Sequence, residues 1–115
     1  MAAEKAACDA AQSVFYFDFD QSLLEAEARA ALLVQAECLA KYGDSIRLEG
    51  HADERGSREY NMALGERRAN AVRDFLVLNG VDSLSIETVS YGEERPVEAG
   101  SSESSWSANR RVELK

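Results

Sequence analysis

The segment Ile46-Arg-Leu-Glu-Gly-His-Ala-Asp-Glu-Arg-Gly56 decides how this chain folds. Its first five residues alternate between apolar or small side chains and charged ones, which is typical of a strand with one buried face. The polar loop 51–56 follows, and Ser57 directly after it can cap a long helix that runs to Asn79 and ends at Gly80. The segment therefore predicts a strand, a short polar loop and a long helix in succession.

A second helix is predicted before this strand, over about residues 23–42. Its start, Ser22-Leu-Leu-Glu25, matches a capping box, in which the two polar side chains each bond a free backbone amide of the first turn. Gly43 ends the helix. Apolar residues recur at every third or fourth position and form one face for the core, namely Leu24, Ala28, Leu32, Ala36 and Leu39.

Three further strands complete the predicted sheet. Aromatic and β-branched residues predict strands at 14–17 and 86–91, and the chain closes with a short strand at 112–114. Residues 93–108 contain the only proline and are predicted to be mostly loop, whereas residues 1–13 are predicted to be an N-terminal tail or a frayed helical turn. The order β-α-β-α-β-β predicts an α/β domain, an α+β sandwich in which two helices pack on a sheet.

The composition is that of one soluble globular domain: 115 residues, 45% of them hydrophobic and 30% charged. Its net charge of −8 repels phosphate groups, which argues against nucleic acid or an anionic lipid surface as a partner. No apolar run approaches the roughly 18 residues of a membrane helix. The first residues lack the apolar core of a signal peptide, so an export signal or a lipid anchor is expected outside this sequence.

One arginine interrupts the apolar face of the helix that begins at Ser57. Projected at roughly 100° per residue, Arg68 and Asn61 fall among the apolar side chains of that face. Its apolar members are Leu64, Ala71, Val72, Phe75 and Leu78. A guanidinium there needs water or an anion. Either Arg68 extends past the helix start, or it bonds Asp53 or Glu49 within the fold, or it gives two parallel hydrogen bonds to a ligand carboxylate.

Asp53 lies in the loop before this helix, where layered α/β folds frequently carry binding groups. It either holds the turn or takes a ligand ammonium, and the nearby helix-start amides could take an anion. An acid and Arg68 together would suit an amino acid, which carries both charges on one carbon. In that case we expect Asp53→Ala and Arg68→Ala to fold but to lose binding, whereas unfolding would indicate a structural pair.

Residues for catalysis or metal binding are few. His51 is the only histidine, so a site with several histidines is excluded. No Gly-rich phosphate motif or serine nucleophile motif is present. Cys8 and Cys38 lack the spacing of a metal site, and they either form one disulfide in an oxidising compartment or remain two free thiols. A carboxylate pair for glycoside cleavage would have to come from common acids: Asp20, Glu49, Asp53 and Glu54.

A series of short motifs covers roughly residues 14–115 in a fixed order. They are Tyr16-Phe-Asp-Phe-Asp20, Glu49-Gly-His-Ala-Asp-Glu-Arg-Gly56, Glu59-Tyr-Asn61, Leu64-Gly-Glu-Arg-Arg-Ala-Asn-Ala-Val72, Val89-Ser-Tyr-Gly-Glu-Glu-Arg-Pro96 and Asn109-Arg-Arg-Val112. With these motifs the chain resembles the OmpA C-terminal-like family, and within it the peptidoglycan-associated lipoproteins of Gram-negative bacteria. The resemblance implies a mixed four-stranded sheet with two long helices packed on one face.

The same resemblance implies a binding function without catalysis. The expected ligand is peptidoglycan, bound non-covalently through the diaminopimelate of its stem peptide, with no cofactor and no metal. Such a protein would anchor the outer membrane to the cell wall from its periplasmic face, as part of a Tol-Pal-like envelope system. The alternative is a periplasmic interaction module for a TolB-like protein, with a weak or absent peptidoglycan pocket.

Six residues match ligand-binding positions of that family. Asp53 matches the acid that holds the diaminopimelate ammonium, and Arg68 matches the arginine that holds its carboxylate. The turn after the first strand is expected to line the pocket through Phe19 and Asp20. The wall on the long helix is expected to come from Asn61 and Leu64.

Overall fold

The computed structural model of this protein describes residues 2–115. The elements in chain order are α1 (Ala2–Asp9), β1 (Val14–Tyr16), α2 (Ala26–Tyr42), β2 (Ile46–His51), α3 (Arg58–Leu78), a 3₁₀ turn (Ser83–Ser85), β3 (Ile86–Gly92), α4 (Glu103–Asn109) and β4 (Arg111–Leu114). The strands form one sheet in the order β1-β4-β2-β3. β4 runs antiparallel to both its neighbours and β3 runs parallel to β2, so the predicted mixed four-stranded sheet is confirmed.

A single apolar core lies between the sheet and the two long helices. β1, β2 and β4 each contribute a fully buried residue to it, namely Phe15, Leu48 and Val112. The predicted apolar face of α2 is confirmed for Ala28, Leu32, Ala36 and Leu39, which are all buried on the helix. Leu24, the fifth residue predicted for this face, is also buried but precedes the helix. On α3 the predicted face is wrong at its C-terminal end, because Leu78 is exposed and Leu76 is buried instead.

Two glycines set the distance between α3 and the sheet. A Cβ atom on Gly50 of β2 would lie only 1.8 Å from the backbone oxygen of Gly65 on α3. Only glycine allows so close an approach of a helix to a strand. The contact holds α3 directly over β2, and the loop between these two elements is therefore short and tightly placed. The Ser57 cap is confirmed, since its side chain accepts a hydrogen bond from the Tyr60 amide.

The start of α2 differs from the prediction. The capping box at Ser22–Glu25 is wrong, because the helix begins at Ala26 and Glu25 is its N-cap without a side-chain hydrogen bond. The residues before it instead run as an extended segment that buries Leu24 in the core. The Arg29 side chain, in the first turn of α2, donates a hydrogen bond to the Leu24 carbonyl at 2.5 Å. This bond, rather than a capping box, connects the helix to the segment before it.

Two short helices lie where the sequence predicted irregular chain. α4 occupies the end of the stretch 93–108, and Asn109 at its C-terminus bonds the backbone of Val97 and Glu98. α1 lies within the predicted tail 1–13. A seven- or eight-residue helix carries too few turns for a clear periodic pattern, so α4 was not predicted and α1 was predicted only as the alternative of a frayed helical turn.

The N-terminal segment is tied to α2 by a disulfide between Cys8 and Cys38. Their Cα atoms are 5.7 Å apart, and 30 positions separate them in the chain. Lys5 of α1 also forms an ion pair with Asp44 at 2.6 Å. Of the two alternatives for the cysteines, the structure therefore has the disulfide, and the segment is attached rather than a free tail. Within residues 2–115, no helix is both long and apolar enough to cross a bilayer.

Candidate ligand-binding site

A cavity of about 230 Å³ opens where the β1–α2 turn meets the β2–α3 loop and the first half of α3. Its lining residues are Phe19, Asp20, Asp53, Arg55, Gly56, Tyr60, Asn61, Leu64 and Arg68. All six residues predicted to bind a ligand are in this set, so the structure brings them together. Arg55, Gly56 and Tyr60 were not predicted. A larger cavity of about 620 Å³ lies between α3 and the edge strand β3, away from these residues.

Arg68 is fully buried and bonds backbone carbonyls rather than a carboxylate. It donates to Gln21 O at 2.8 Å, to Asp18 O at 2.9 Å and to His51 O at 2.9 Å. The internal ion pair considered from the sequence, with an acid of β2 or of the following loop, is therefore wrong. Burial lowers the pKa of Arg68 to about 10, so the side chain stays cationic at neutral pH. Three of its five N–H groups are used in this way, which leaves two that bond no carbonyl within residues 2–115.

Asp53 is only 4% exposed, and its carboxylate is already paired. It accepts three hydrogen bonds from Arg55: one from the backbone amide at 3.0 Å, one from Nε at 3.1 Å and one from Nη2 at 2.8 Å. Arg110 Nη1 lies 3.7 Å from the same carboxylate. Burial raises the pKa of the Asp53 carboxyl, but the hydrogen bonds from Arg55 outweigh it and hold the pKa below its usual value. Asp53 is thus an ionised group at the cavity.

The turn after β1 forms one side of the cavity. Asp20 adopts the left-handed backbone conformation with φ of 59°, and the Tyr60 hydroxyl donates a hydrogen bond to its carboxylate. Phe19 is 53% exposed beside it. Across the cavity Asn61 donates to Glu93 Oε1 at 2.9 Å, which fixes the orientation of its amide. Polar groups on both sides of the cavity are therefore held in place by hydrogen bonds within the protein.

Arg55 is the most notable residue that the sequence prediction missed. Its guanidinium lies 3.9 Å from the ring centroid of Phe19 and 3.9 Å from that of Trp106. We call this arrangement of Phe19, Arg55 and Trp106 the Arg55 clamp. Arg55 follows Asp53 by two positions, and that spacing could have suggested their pairing. Nothing local could have predicted Trp106, because it lies 51 positions further along the chain.

His51 is buried at the end of β2, close to two acids, and its ring has no hydrogen-bond partner among the residues that the structure describes. Its Nε2 atom lies 3.9 Å from Glu49 and 3.8 Å from Glu113, and its ring is 5.6 Å from the ring of Tyr91. Burial, assisted by the positive charge of Arg111, lowers the pKa of His51 to about 4. The imidazole is therefore neutral at physiological pH. Among residues 2–115 no cluster of His, Cys, Asp and Glu side chains could hold a metal ion.

The buried histidine predicts a pH-dependent stability. In the unfolded chain His51 takes up a proton below about pH 6.5, whereas in the folded protein it does so only near pH 4. Acid therefore favours the unfolded state, and we expect the free energy of unfolding to fall by about 1–3 kcal/mol over this range. Urea denaturation at a series of pH values measures the loss. His51→Gln, which cannot titrate, should show a shallower slope, and equal slopes would contradict the assignment.

The β-α-β-α-β-β core, with a cavity where the β2–α3 loop enters α3, defines the class of OmpA-like α+β domains. The chain belongs to the OmpA family, whose profile matches residues 16–110. This membership confirms the resemblance drawn from the sequence motifs. Residues 1–15 and the last five residues lie outside the matched region.

Several proteins similar to this chain share one name. The chain is 59% identical over 103 residues to the peptidoglycan-associated lipoprotein of Pseudomonas aeruginosa, which covers 90% of this chain and 61% of that protein. It is 58% identical over 103 residues to the protein of the same name from Pseudomonas putida, with coverages of 90% and 62%. The crystal structure of the peptidoglycan-associated lipoprotein from Burkholderia pseudomallei superimposes with a TM-score of 0.88 at 44% identity, covering 90% of this chain and 89% of that one. The chain thus spans about three fifths of the length of the curated relatives.

Proposed function

We propose that this domain binds peptidoglycan non-covalently through the diaminopimelate of the stem peptide. The observation that carries the proposal is that a buried carboxylate, Asp53, and a buried guanidinium, Arg68, line the same small cavity. The free end of diaminopimelate carries an ammonium and a carboxylate on one carbon. Asp53 would attract the ammonium, and the two N–H groups of Arg68 that bond no carbonyl would receive the carboxylate.

The proposal is binding without catalysis. A glycoside-cleaving pair needs one carboxyl group whose raised pKa keeps it protonated as a general acid. The pKa of Asp53 is instead lowered, and so is that of Glu54, because Ser101 and Trp106 donate hydrogen bonds to it. Asp20 is bonded by Tyr60. Asp53 and Glu54 are thus held as ionised groups, and all three acids are engaged by hydrogen bonds within the fold.

The proposed cellular role is attachment of the outer membrane to the cell wall from the periplasmic face, within a Tol-Pal-like system. The support is the name shared by the similar proteins, in which peptidoglycan association and a lipid anchor are combined. The Cys8–Cys38 disulfide agrees with an oxidising compartment such as the periplasm.

A second candidate function is docking of a TolB-like periplasmic protein. The observation that favours it is the aromatic rim of the cavity, where Phe19 is 53% and Tyr60 is 42% exposed. Exposed aromatic side chains are enriched at protein interfaces. A partner seated on this rim would cover the cavity, so we expect such a partner and peptidoglycan to compete.

The proposal is tested by titrating the ¹⁵N-labelled domain with a diaminopimelate-containing muropeptide. We expect saturable amide shifts around Asp53 and Arg68. A muropeptide with lysine in place of diaminopimelate lacks the second carboxylate, so it should bind much more weakly. Absence of shifts with both ligands, or equal affinity for both, would contradict the proposed ligand. In the first case a pull-down with purified TolB would then test the second candidate.

A further inference from the structure

The Arg55 clamp presents a cation at the mouth of the cavity. Arg68 is completely buried, with three of its N–H groups bonded to carbonyls, and so forms part of the floor. The side chain of Arg55 is 29% exposed and lines the same cavity. Its Nε and Nη2 bond Asp53, while Nη1 has no hydrogen-bond partner within residues 2–115. Arg55 is thus the accessible guanidinium of this site.

Three contacts fix the orientation of the Arg55 side chain. Asp53 bonds one edge of the guanidinium, and the guanidinium carbon lies over the rings of Phe19 and Trp106, 3.9 Å from each centroid. A planar guanidinium can stack on aromatic rings and bond a carboxylate through two nitrogens at the same time, whereas a lysine ammonium lacks this planar fork. Held in this way, Arg55 would lose little side-chain entropy when its free edge meets an anion.

Trp106 is itself oriented by the β2–α3 loop. Its Nε1 donates to Glu54 Oε1 at 3.1 Å, and Ser101 donates to the same oxygen. The short helix α4 is thereby connected to the loop that carries Asp53 and Arg55. Trp106 is not among the lining residues of the cavity, so it contacts the site through Arg55.

We infer that Arg55 binds a second carboxylate of the ligand, the main-chain carboxylate of the stem peptide, and that Trp106 is the positioning residue for it. This inference rests on the proposed function. A cavity of about 230 Å³ accommodates the zwitterionic end of diaminopimelate but not the rest of the peptide. When that end reaches Asp53 and Arg68, the main chain stays at the mouth, beside the free edge of Arg55. The domain therefore prefers stem peptides whose main-chain carboxylate is free.

The test compares two tripeptides, L-Ala-γ-D-Glu-diaminopimelate with a free main-chain carboxylate and the same peptide with that carboxylate amidated. Both retain the zwitterionic end. We expect the wild-type protein to bind the free form about tenfold more tightly, the effect of a charge-assisted hydrogen bond at a partly exposed site. In Arg55→Gln the preference should vanish, because affinity for the free form falls to that for the amide. Arg55→Lys, which keeps the charge, should retain only part of the preference.

Trp106 and a control arginine complete the comparison. Trp106→Leu should reduce the preference and Trp106→Phe, which keeps an aromatic ring, should restore most of it. The two aromatic rings should shift the NMR resonance of Arg55 Nε–H away from the usual arginine value. This resonance should return to the usual value in Trp106→Leu but not in Trp106→Phe. Arg58→Gln removes the same charge from an exposed arginine at the start of α3 that does not line this cavity, and it should keep the tenfold preference.

The outcomes separate this inference from the proposed function. Equal wild-type affinity for both tripeptides would overturn the Arg55 subsite and leave diaminopimelate binding intact. Equal weakening of both ligands in Arg55→Gln would also overturn it, because Arg55 would then act only by holding Asp53. If the wild-type protein binds neither tripeptide, the proposed function fails. The carboxylate subsite at Arg55 is then tested separately, by titration with acetate. A shift of Arg55 Nε–H with acetate, and not with chloride at equal ionic strength, supports the subsite, and its absence overturns it.

Discussion

Replacing Arg68 by alanine is expected to lower the free energy of unfolding by about 3–5 kcal/mol, the largest stability effect that we predict. The guanidinium gives hydrogen bonds to Asp18, Gln21 and His51, and so joins the β1–α2 turn to the end of β2. Alanine removes all three bonds, leaves the carbonyls without this donor and empties the volume of a fully buried side chain. Urea denaturation followed by circular dichroism measures the loss.

Arg67→Ala is the matched control for this experiment. Arg67 is the adjacent residue of α3 and is exposed, so the same substitution should change the stability by no more than about 0.5 kcal/mol. Arg68→Lys should fall between the two, because one ammonium cannot reach three carbonyls. A fully stable Arg68→Ala protein would contradict the structural role. The result expected here differs from the one drawn from the sequence, in which Arg68→Ala folds normally.

Replacing Asp53 by asparagine is expected to weaken binding of the diaminopimelate muropeptide by about thirtyfold to several thousandfold, or about 2–5 kcal/mol. The physical reason is that asparagine keeps the shape of the side chain but removes the negative charge that would meet the ligand ammonium. Arg55 and Arg110 would remain beside the cavity, and their positive charge would then repel that ammonium. Isothermal titration calorimetry measures the change in affinity.

Asp74→Asn provides the control for Asp53→Asn. Asp74 lies on α3 with its side chain 67% exposed and outside the cavity, so the same change of charge should leave the affinity almost unaltered. Circular dichroism on both variants shows whether the fold is intact. Unchanged affinity in a folded Asp53→Asn protein would mean that the ammonium binds elsewhere, and Asp20 on the opposite side of the cavity would be the next residue to replace.

The long elements could be predicted from the sequence because their signal is local. The apolar residues of α2 recur within its 17 residues, so neighbouring positions alone indicate which face of this helix is buried. The alternation in β2 locates the strand, but the prediction of one buried face is wrong, because Glu49 on the opposite face is buried as well. The short helices gave no such signal. α4 depends on the Ser102 cap and on Asn109, whose side chain bonds residues 11 and 12 positions earlier in the chain.

For the candidate site, the sequence could predict which residues take part but not how they are bonded. The motif resemblance identified Asp53 and Arg68 together with four other residues, and the structure has all six in one cavity. The hydrogen-bond partners of these residues could not be predicted. An apolar helix face indicates that Arg68 needs acceptors, but it does not indicate that these are carbonyls of the β1–α2 turn, 47 and 50 positions away.

The sequence by itself determined the order of the strands and long helices along the chain, the need of Arg68 for a partner, and the position of an acid, Asp53, in the loop 51–56. These features depend on periodicity, on turn chemistry and on residues close together in the chain. Tertiary structure alone decided that Arg68 joins three backbone segments and that Trp106 covers Arg55 beside Asp53. The physical reason is that hydrogen bonds and ring contacts between distant segments are set by how the helices pack on the sheet, which no local pattern records.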